Sequence, residues 1–431
     1  MKRNLSIGAG FVAALAVLGL STKMLDKKAE AAAVQAPRFE VDPMWPKPLP
    51  NHWVTGNIIG VSADSKDHIW VIHRQATLEP KEVYAAAKDK EGKPAPAAEC
   101  CLPAPPVLEF DQDGTLLASW GGPGNGYDWP DSNHGITVDY KGNVWIGGNG
   151  RGTPPGGGQG KGKAAPAEAK GIEAEAGGPV GRPAIFYHDS MVMKFTQEGK
   201  LLMQIGKPGA SKGSNDTDNV GLPAKLFIDA KTNELYVADG YGNKRVIVYD
   251  ADTGKYKRHW GAYGHKPDDT NLGPYRPDAP VAQQFRNPVH CAELSNDGLL
   301  YVCDRVNDRI QVFKPDGTFV KEVFVAKNTL GDGAVWDIAF SKDPQQKYMY
   351  LADGANEKIY IIQRDNMEIL TSFGDGGRQP GQFYAVHSIA TDSKGNVYTT
   401  ETYRGQRVQK FVYKGLAAVA KKDQGVVWPK K

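Results

Sequence analysis

Six copies of one hairpin pattern run through the chain, and no other feature constrains its fold as tightly. They are "IIGVSADSKDHIWVIHR" from Ile59, "HGITVDYKGNVWIGG" from His134, "AKLFIDAKTNELYVADGY" from Ala224, "HCAELSNDGLLYVCDR" from His290, "WDIAFSKDPQQKYMYLADG" from Trp336 and "HSIATDSKGNVYTTE" from His387. In each, two runs rich in β-branched and aromatic residues flank a polar turn, which is the pattern of a β-hairpin. A third strand follows every copy, such as "RVIVYD" or "KIYIIQRD", and most continue into a fourth, such as "LLASWGG" or "EILTSFGDGG". Four strands per unit and six units predict an all-β, six-bladed β-propeller. The last three copies begin 46 and 51 residues apart, and the wider early spacings come from two low-complexity insertions, about 75–106 and 147–189. The first is rich in Ala, Lys and Pro. The second contains "GTPPGGGQGKGKAAPAEAKGIEAEAGG", which offers almost nothing apolar to bury and reads as flexible. The final blade runs only to about Tyr413, so "RFEVDPMWPKPLP" is expected to add its missing strand and close the ring, which removes exposed sheet edges.

The expected propeller covers 34–415, with a tail over 416–431. Before it, Lys2 and Arg3 precede an apolar run from about Leu5 to Leu20, and small residues follow. Residues 1–33 therefore read as a secretory signal peptide or as an uncleaved anchor, since the run sits near the lower limit for spanning a bilayer. Export to a periplasmic or extracellular location is expected, with membrane contact only if the segment stays attached. A net charge of +3 over 431 residues, with no block of basic residues, argues against a nucleic-acid partner. The four cysteines suit an oxidising compartment. Cys291 and Cys303 lie on the two arms of one hairpin, symmetric about Asp297, where a cross-strand disulfide can form. Cys100 and Cys101 are adjacent in the first insertion and could pair vicinally, bond elsewhere or stay free.

In a propeller blade the first strand is innermost and the second runs antiparallel to it. The start of strand one and the end of strand two therefore share one face, beside the central channel. His134, His290 and His387 all open strand one, in a slot that holds Ile59, Ala224 and Trp336 in the other blades. At the end of strand two, "VIHR" and "VCDR" place Arg74 and Arg305 in equivalent slots, and "VADGY" places Tyr241 one residue later. Three imidazoles converging with an open fourth position match a catalytic Zn²⁺ arrangement. The alternative is a polar channel lining filled with water. His52, His68, His73, His188, His259 and His265 show no such register and read as structural.

The repeats resemble NHL repeats, a hairpin ending in "Y-V-x-D" followed by "N-x-R-I-x-x-F"; "YVADGYGNKRVIVYD" and "YVCDRVNDRIQVFKPDG" carry the likeness. From about Val54 to Tyr413 the chain also resembles the peptidyl-α-hydroxyglycine α-amidating lyase family. The matching motifs are "VIHR", "HGITVDYKGNVW", "VADGYGNKRV", "VCDRVNDRIQVF" and the "VH" pairs at His290 and His387. The resemblance implies a catalytic zinc on His134, His290 and His387, with Tyr241, Arg74 and Arg305 as catalytic residues. It implies cleavage of the N–C bond of an α-hydroxyamide, in a peptide or small molecule, to an amide and an aldehyde such as glyoxylate. Zinc would act as a Lewis acid. Tyr241 would take the hydroxyl proton as a phenolate favoured by the nearby cations. The two arginines would hold a carboxylate and stabilise developing negative charge.

The family also carries a structural calcium. Its carbonyl donors would fall at Val61 and Ile136, but the aspartate that follows the last zinc histidine is Ser388 here. The family's disulfides do not recur at the same places. Two other readings stand beside the lyase. One is a non-catalytic NHL-repeat propeller that binds a peptide, glycan or protein partner. The other is a lactonase-like hydrolase, which would need Asp, Asn and Glu around Ca²⁺ in slots that hold His here.

Overall fold

The computed structural model describes residues 34–124, 126–151 and 188–429. The expected signal segment and the middle of the second insertion lie outside the described residues.

The turn residues set the hairpins. Asp64, Asp139 and Asp392 stand at one repeat position, just after strand one. Asp139 Oδ1 accepts the backbone N–H of Lys141 at 2.9 Å and of Asn143 at 2.8 Å. Asp392 does the same for Lys394 and Asn396 at 3.0 and 2.9 Å, and Asp64 for Lys66 and His68 at 2.8 and 2.9 Å. A carboxylate that mimics a backbone acceptor in this way fixes a tight turn. The second carboxylate oxygen of each accepts from the aromatic residue six positions on: Trp70, Trp145 or Tyr398 at 3.2, 2.9 and 3.0 Å. The same side chain that closes the turn thus aims an aromatic ring of strand two into the space between blades.

Each hairpin extends into a four-stranded antiparallel sheet. Blade one is Asn57–Ala63, Ile69–Arg74, Val107–Phe110 and Leu116–Trp120; blade two is Asn133–Val138, Val144–Gly148, Met191–Phe195 and Leu201–Gly206. Blade three is Lys225–Asp229, Glu234–Asp239, Arg245–Asp250 and Tyr256–Trp260; blade four is Val289–Leu294, Leu300–Asp304, Arg309–Phe313 and Phe319–Phe324. Blade five is Asp337–Phe340, Tyr348–Asp353, Lys358–Gln363 and Glu368–Phe373. Blade six has Val386–Thr391, Val397–Glu401 and Val408–Ala418, and its outer strand is the N-terminal Gln35–Asp42. The first strands of neighbouring blades touch in cyclic order around the channel, so the six-bladed propeller expected from the repeats is the fold. Among the described residues, apolar clusters lie between successive blades. Trp70, Ile72, Ile146 and Phe195 fill the space between blades one and two, and Trp145, Leu235 and Tyr249 that between two and three.

Ring closure is antiparallel, with Phe39 opposite Tyr413 and Val41 opposite Phe411. The last strand continues beyond Tyr413 to Ala418, and 419–429 then runs back over blade five: the Ser372 N–H donates to Lys422 O at 3.0 Å and Gly374 N–H to Gly425 O at 2.8 Å. Phe39 is 2% exposed and its ring packs against Tyr350 and Phe373 at 5.3 and 5.4 Å between centroids. Phe39→Ala is therefore expected to cost about 3–5 kcal/mol, read as a lower denaturant midpoint. An unchanged midpoint would mean that the N-terminal strand contributes nothing to closure.

Both insertions leave from the end of a second strand, on the channel face that carries the marked residues. The first contains three short 3₁₀ turns and the strand Leu102–Pro103, which pairs with Trp53–Val54. Cys100 and Cys101 are bonded to each other. Cys291 lies opposite Cys303 in the ladder and is bonded to it. No helix among the described residues is long and apolar enough to cross a membrane.

Candidate active site

The NHL motif builds the turns that present the site. At the end of strand two, Asp239 Oδ2 accepts from Arg245 Nε and Asn243 Nδ2, both at 2.7 Å. In blade four Asp304 Oδ2 accepts from Arg309 Nε and Asn307 Nδ2, both at 2.8 Å. These groups are fully or almost fully buried. A buried ion pair is tolerated when extra hydrogen bonds satisfy it, and here the pair locks the strand two to strand three turn that carries Tyr241 or Arg305. Gly240 is required for the same geometry, because a Cβ there would overlap the Val289 backbone, next to His290.

His134, His290 and His387 converge as their shared repeat slot implies. Each offers a ring nitrogen within 4.8 Å of the others, and the ring centroids are 5.3, 4.9 and 4.8 Å apart. All three are at most 3% exposed. His134 Nδ1 lies 2.7 Å from Ala224 O, and His290 Nδ1 lies 2.5 Å from Trp336 O. A carbonyl only accepts, so both Nδ1 atoms carry the proton. Burial, then the Arg74 charge, holds His134 well below the ordinary imidazole range. Burial and Arg305 do so for His290, and burial and the two neighbouring imidazoles for His387. Neutral rings protonated at Nδ1 present Nε2 lone pairs to the axis.

Those lone pairs meet one phenol. Tyr241 Oη is 3.0 Å from His134 Nε2 and 3.0 Å from His290 Nε2, and Arg305 Nη1 donates to it at 3.3 Å. A single phenolic proton can serve one of the two lone pairs, not both. A divalent cation among the three imidazoles would satisfy the set, and an outer carbonyl on each of two Nδ1–H groups is the arrangement that orients metal-ligating histidines. The donor set therefore fits a His₃ metal centre.

Arg305 is fully buried, its guanidinium 4.4 Å from the centre of the Trp336 ring and 3.7 Å from Asp332 Oδ1. Arg74 sits on the opposite side, donating through Nε to Asn133 O at 3.0 Å and through Nη2 to Asn149 Oδ1 at 2.9 Å. The structure thus brings together the three histidines, Tyr241 and Arg305 by direct contact, with Arg74 close enough to act on His134 and His387 electrostatically. Asp332, Asn149 and Tyr403 were not singled out from the sequence. Tyr403, whose O–H donates to Asp332 Oδ2 at 2.8 Å, occupies in "TETY" the repeat slot that Tyr241 occupies in "ADGY", so the register did hold that signal. Asp332 lies in a connection between blades, where no repeat register exists.

Four of the remaining histidines make contacts away from this centre. His68 Nδ1 is 2.7 Å from Glu109, His188 Nδ1 is 3.0 Å from Asp189, and His259 Nδ1 is 2.9 Å from Tyr256 Oη. His73, fully buried, donates from Nε2 to Pro105 O at 3.0 Å and accepts the Gly56 N–H on Nδ1 at 3.2 Å, which pins the first insertion beside Arg74. Burial pulls its pKa down to about 4. The unfolded chain, titrating near 6.5, then binds more protons than the folded one between those values, so stability is lost as pH falls from about 6.5 to 4. The expected loss is about 3 kcal/mol. The stability advantage of wild type over His73→Gln, which does not titrate, should shrink by that amount between pH 7 and pH 4 in chemical denaturation. A constant difference would refute the assignment.

No family model matches the chain. Peptidyl-glycine alpha-amidating monooxygenase B of Xenopus laevis is 28% identical over 280 residues, covering 63% of this chain and 25% of that protein. NHL repeat-containing protein 3 of Mus musculus is 24% identical over 400 residues, covering 88% of this chain and 85% of that one. Peptidyl-alpha-hydroxyglycine alpha-amidating lyase 1 of Drosophila melanogaster is 22% identical over 401 residues, covering 86% of this chain and 59% of that one. The chain spans a quarter or less of the length of the monooxygenases that it matches. It is a six-bladed β-propeller whose relatives include proteins named for peptide α-amidation and proteins named for NHL repeats.

Proposed function

We propose that the chain is an exported, metal-dependent lyase that cleaves the N–C bond of an α-hydroxyamide of the peptidyl-α-hydroxyglycine kind. The observation that carries this reading is Tyr241 Oη within hydrogen-bond reach of two histidine Nε2 atoms and of Arg305. A relative whose name states that activity supports it.

In the reaction the α-hydroxyl loses its proton, a C=O bond forms on that carbon, and the C–N bond breaks with its electron pair going to nitrogen, which takes up a proton. No water or redox partner is consumed, and the products are an amide and a glyoxylate-type aldehyde. Zn²⁺ or a similar ion held by His134, His290 and His387 would supply Lewis-acid polarisation of a substrate oxygen. Tyr241 takes the hydroxyl proton at Oη, a general-base role. Arg305 and Arg74 bind the carboxylate of the hydroxyglycine end and stabilise the charge that builds on the hydroxyl oxygen as it loses its proton and on the amide nitrogen as it departs. Tyr241 is 4% exposed, so a slender chain terminus suits the site better than the middle of a peptide.

The test is turnover of a peptidyl-α-hydroxyglycine by purified protein, with release of the amide and glyoxylate measured together. No turnover by metal-replete protein would sink this reading. It would leave a non-catalytic binding propeller, the reading favoured by the match to NHL repeat-containing protein 3 over most of both chains.

A further inference from the structure

A second polar layer crosses the channel one residue beyond the positions that set the histidines. Lys225 follows Ala224, whose carbonyl meets His134. Asp337 follows Trp336, whose carbonyl meets His290. Ser388 follows His387. The Lys225 ammonium lies 2.7 Å from Asp337 Oδ1 and 2.7 Å from Glu293 Oε1. Asp337 Oδ2 accepts from Ser388 Oγ at 2.7 Å and from the Ile389 N–H at 3.1 Å. One ammonium and two carboxylates thus join the inner strands of blades three, four, five and six.

A cavity of about 270 Å³ borders this layer, lined by Lys225, Glu293 and Lys342 together with Val61 and Ile136, the two residues whose carbonyls the family resemblance assigns to calcium. The residues present do not fit that ion. Lys225 already places a positive charge on the available carboxylates, Lys342 adds a second beside the cavity, and Ser388 offers a hydroxyl where a carboxylate would be needed. Hard divalent cations of this kind require several anionic or carbonyl oxygens, and a neighbouring ammonium repels them. Burial alone would lower the lysine's pKa, but Asp337 and Glu293 outweigh it and keep the ammonium charged.

We propose that Lys225 is a built-in structural cation, which ties four blades together in place of a divalent ion and, through the Ala224 and Trp336 carbonyls, positions His134 and His290. The tethering half stands on geometry alone, and the positioning half rests on the metal reading above.

The two halves are tested separately. Metal-free wild-type protein is expected to show the same Tm with and without millimolar CaCl₂. A Tm that rises with Ca²⁺ overturns the proposal. Lys225→Met leaves the buried Asp337 and the half-buried Glu293 without their cation, and its Tm should fall by about 4–8 °C. A wild-type Tm in that variant also overturns the tether. For positioning, Co²⁺ titrated into metal-free protein reports the histidine site by its visible absorption. Affinity should fall about 10–100-fold in Lys225→Met, the usual cost of losing an outer partner, and recover in Lys225→Arg. Lowered Tm with wild-type Co²⁺ affinity overturns the positioning half. Should Lys225→Met fail to fold, the calcium arm on wild type and the Lys225→Arg variant still decide.

Discussion

A His134→Ala, His290→Ala double variant is expected to lose its bound divalent ion and all measurable lyase turnover while keeping the propeller. Wild-type protein should carry about one Zn²⁺ or similar ion per chain, and a chelator should remove activity that Zn²⁺ restores. The reasoning is one of donor count. Three imidazoles from blades two, four and six would supply the ligands, one from each of three inner strands. Removing a single ligand should cost more than the ~10–100-fold that loss of an outer-shell partner costs, and removing two leaves one imidazole, which does not define a site. The fold should survive because the apolar clusters between blades do not include these histidines. Metal content by mass spectrometry, with circular dichroism on the same sample, decides the matter. Full metal retention in the double variant would remove the His₃ centre and with it the lyase.

The sequence carried most of this arrangement because a propeller converts repeat register into position. Once "HGITVDYKGN", "HCAELSNDG" and "HSIATDSKGN" are aligned on their turns, three histidines must share one layer of the channel, since each first strand runs the same way along the axis. The same rule placed Arg74, Arg305 and Tyr241 at that mouth, and it held Tyr403 as well, two residues past Glu401. What the register cannot give is contact across the axis. Nothing in the order of residues says that Lys225 would meet Asp337 and Glu293 from two other blades, or that Ala224 and Trp336, unremarkable as side chains, would matter through their carbonyls. Those contacts depend on how far each strand slides along the channel, which is set by packing between blades. Asp332 was hidden for a different reason: it sits in the connection between blades four and five, outside the hairpin pattern that repeats. The closing strand was legible because a blade that lacks its fourth strand must find one, and Arg38–Asp42 alternates in the required way.

Tyr241→Phe is expected to lower kcat on an α-hydroxyamide by about 10²–10⁴-fold, the usual cost of losing a general base, with metal content unchanged. The substitution removes one oxygen and leaves the ring, which packs on Leu222 and Ala224, so the backbone that holds Ala224 O against His134 should not move. The metal-free state offers a control that does not depend on turnover. There the phenol is the group within 3.0 Å of the Nε2 atoms of both His134 and His290, and its loss leaves buried acceptors short of a donor, at a cost of about 1–3 kcal/mol. In the loaded state the lone pairs are taken by the ion and that cost should disappear. A catalytic Tyr241 therefore predicts a large drop in kcat in loaded protein together with a stability penalty confined to metal-free protein. A ring that serves only for packing predicts neither, because Phe packs as well. Near-wild-type kcat in the loaded variant would take Tyr241 out of the chemistry. A stability penalty equal in both states would mean that the two lone pairs never face an ion, and the metal assignment would fall with it.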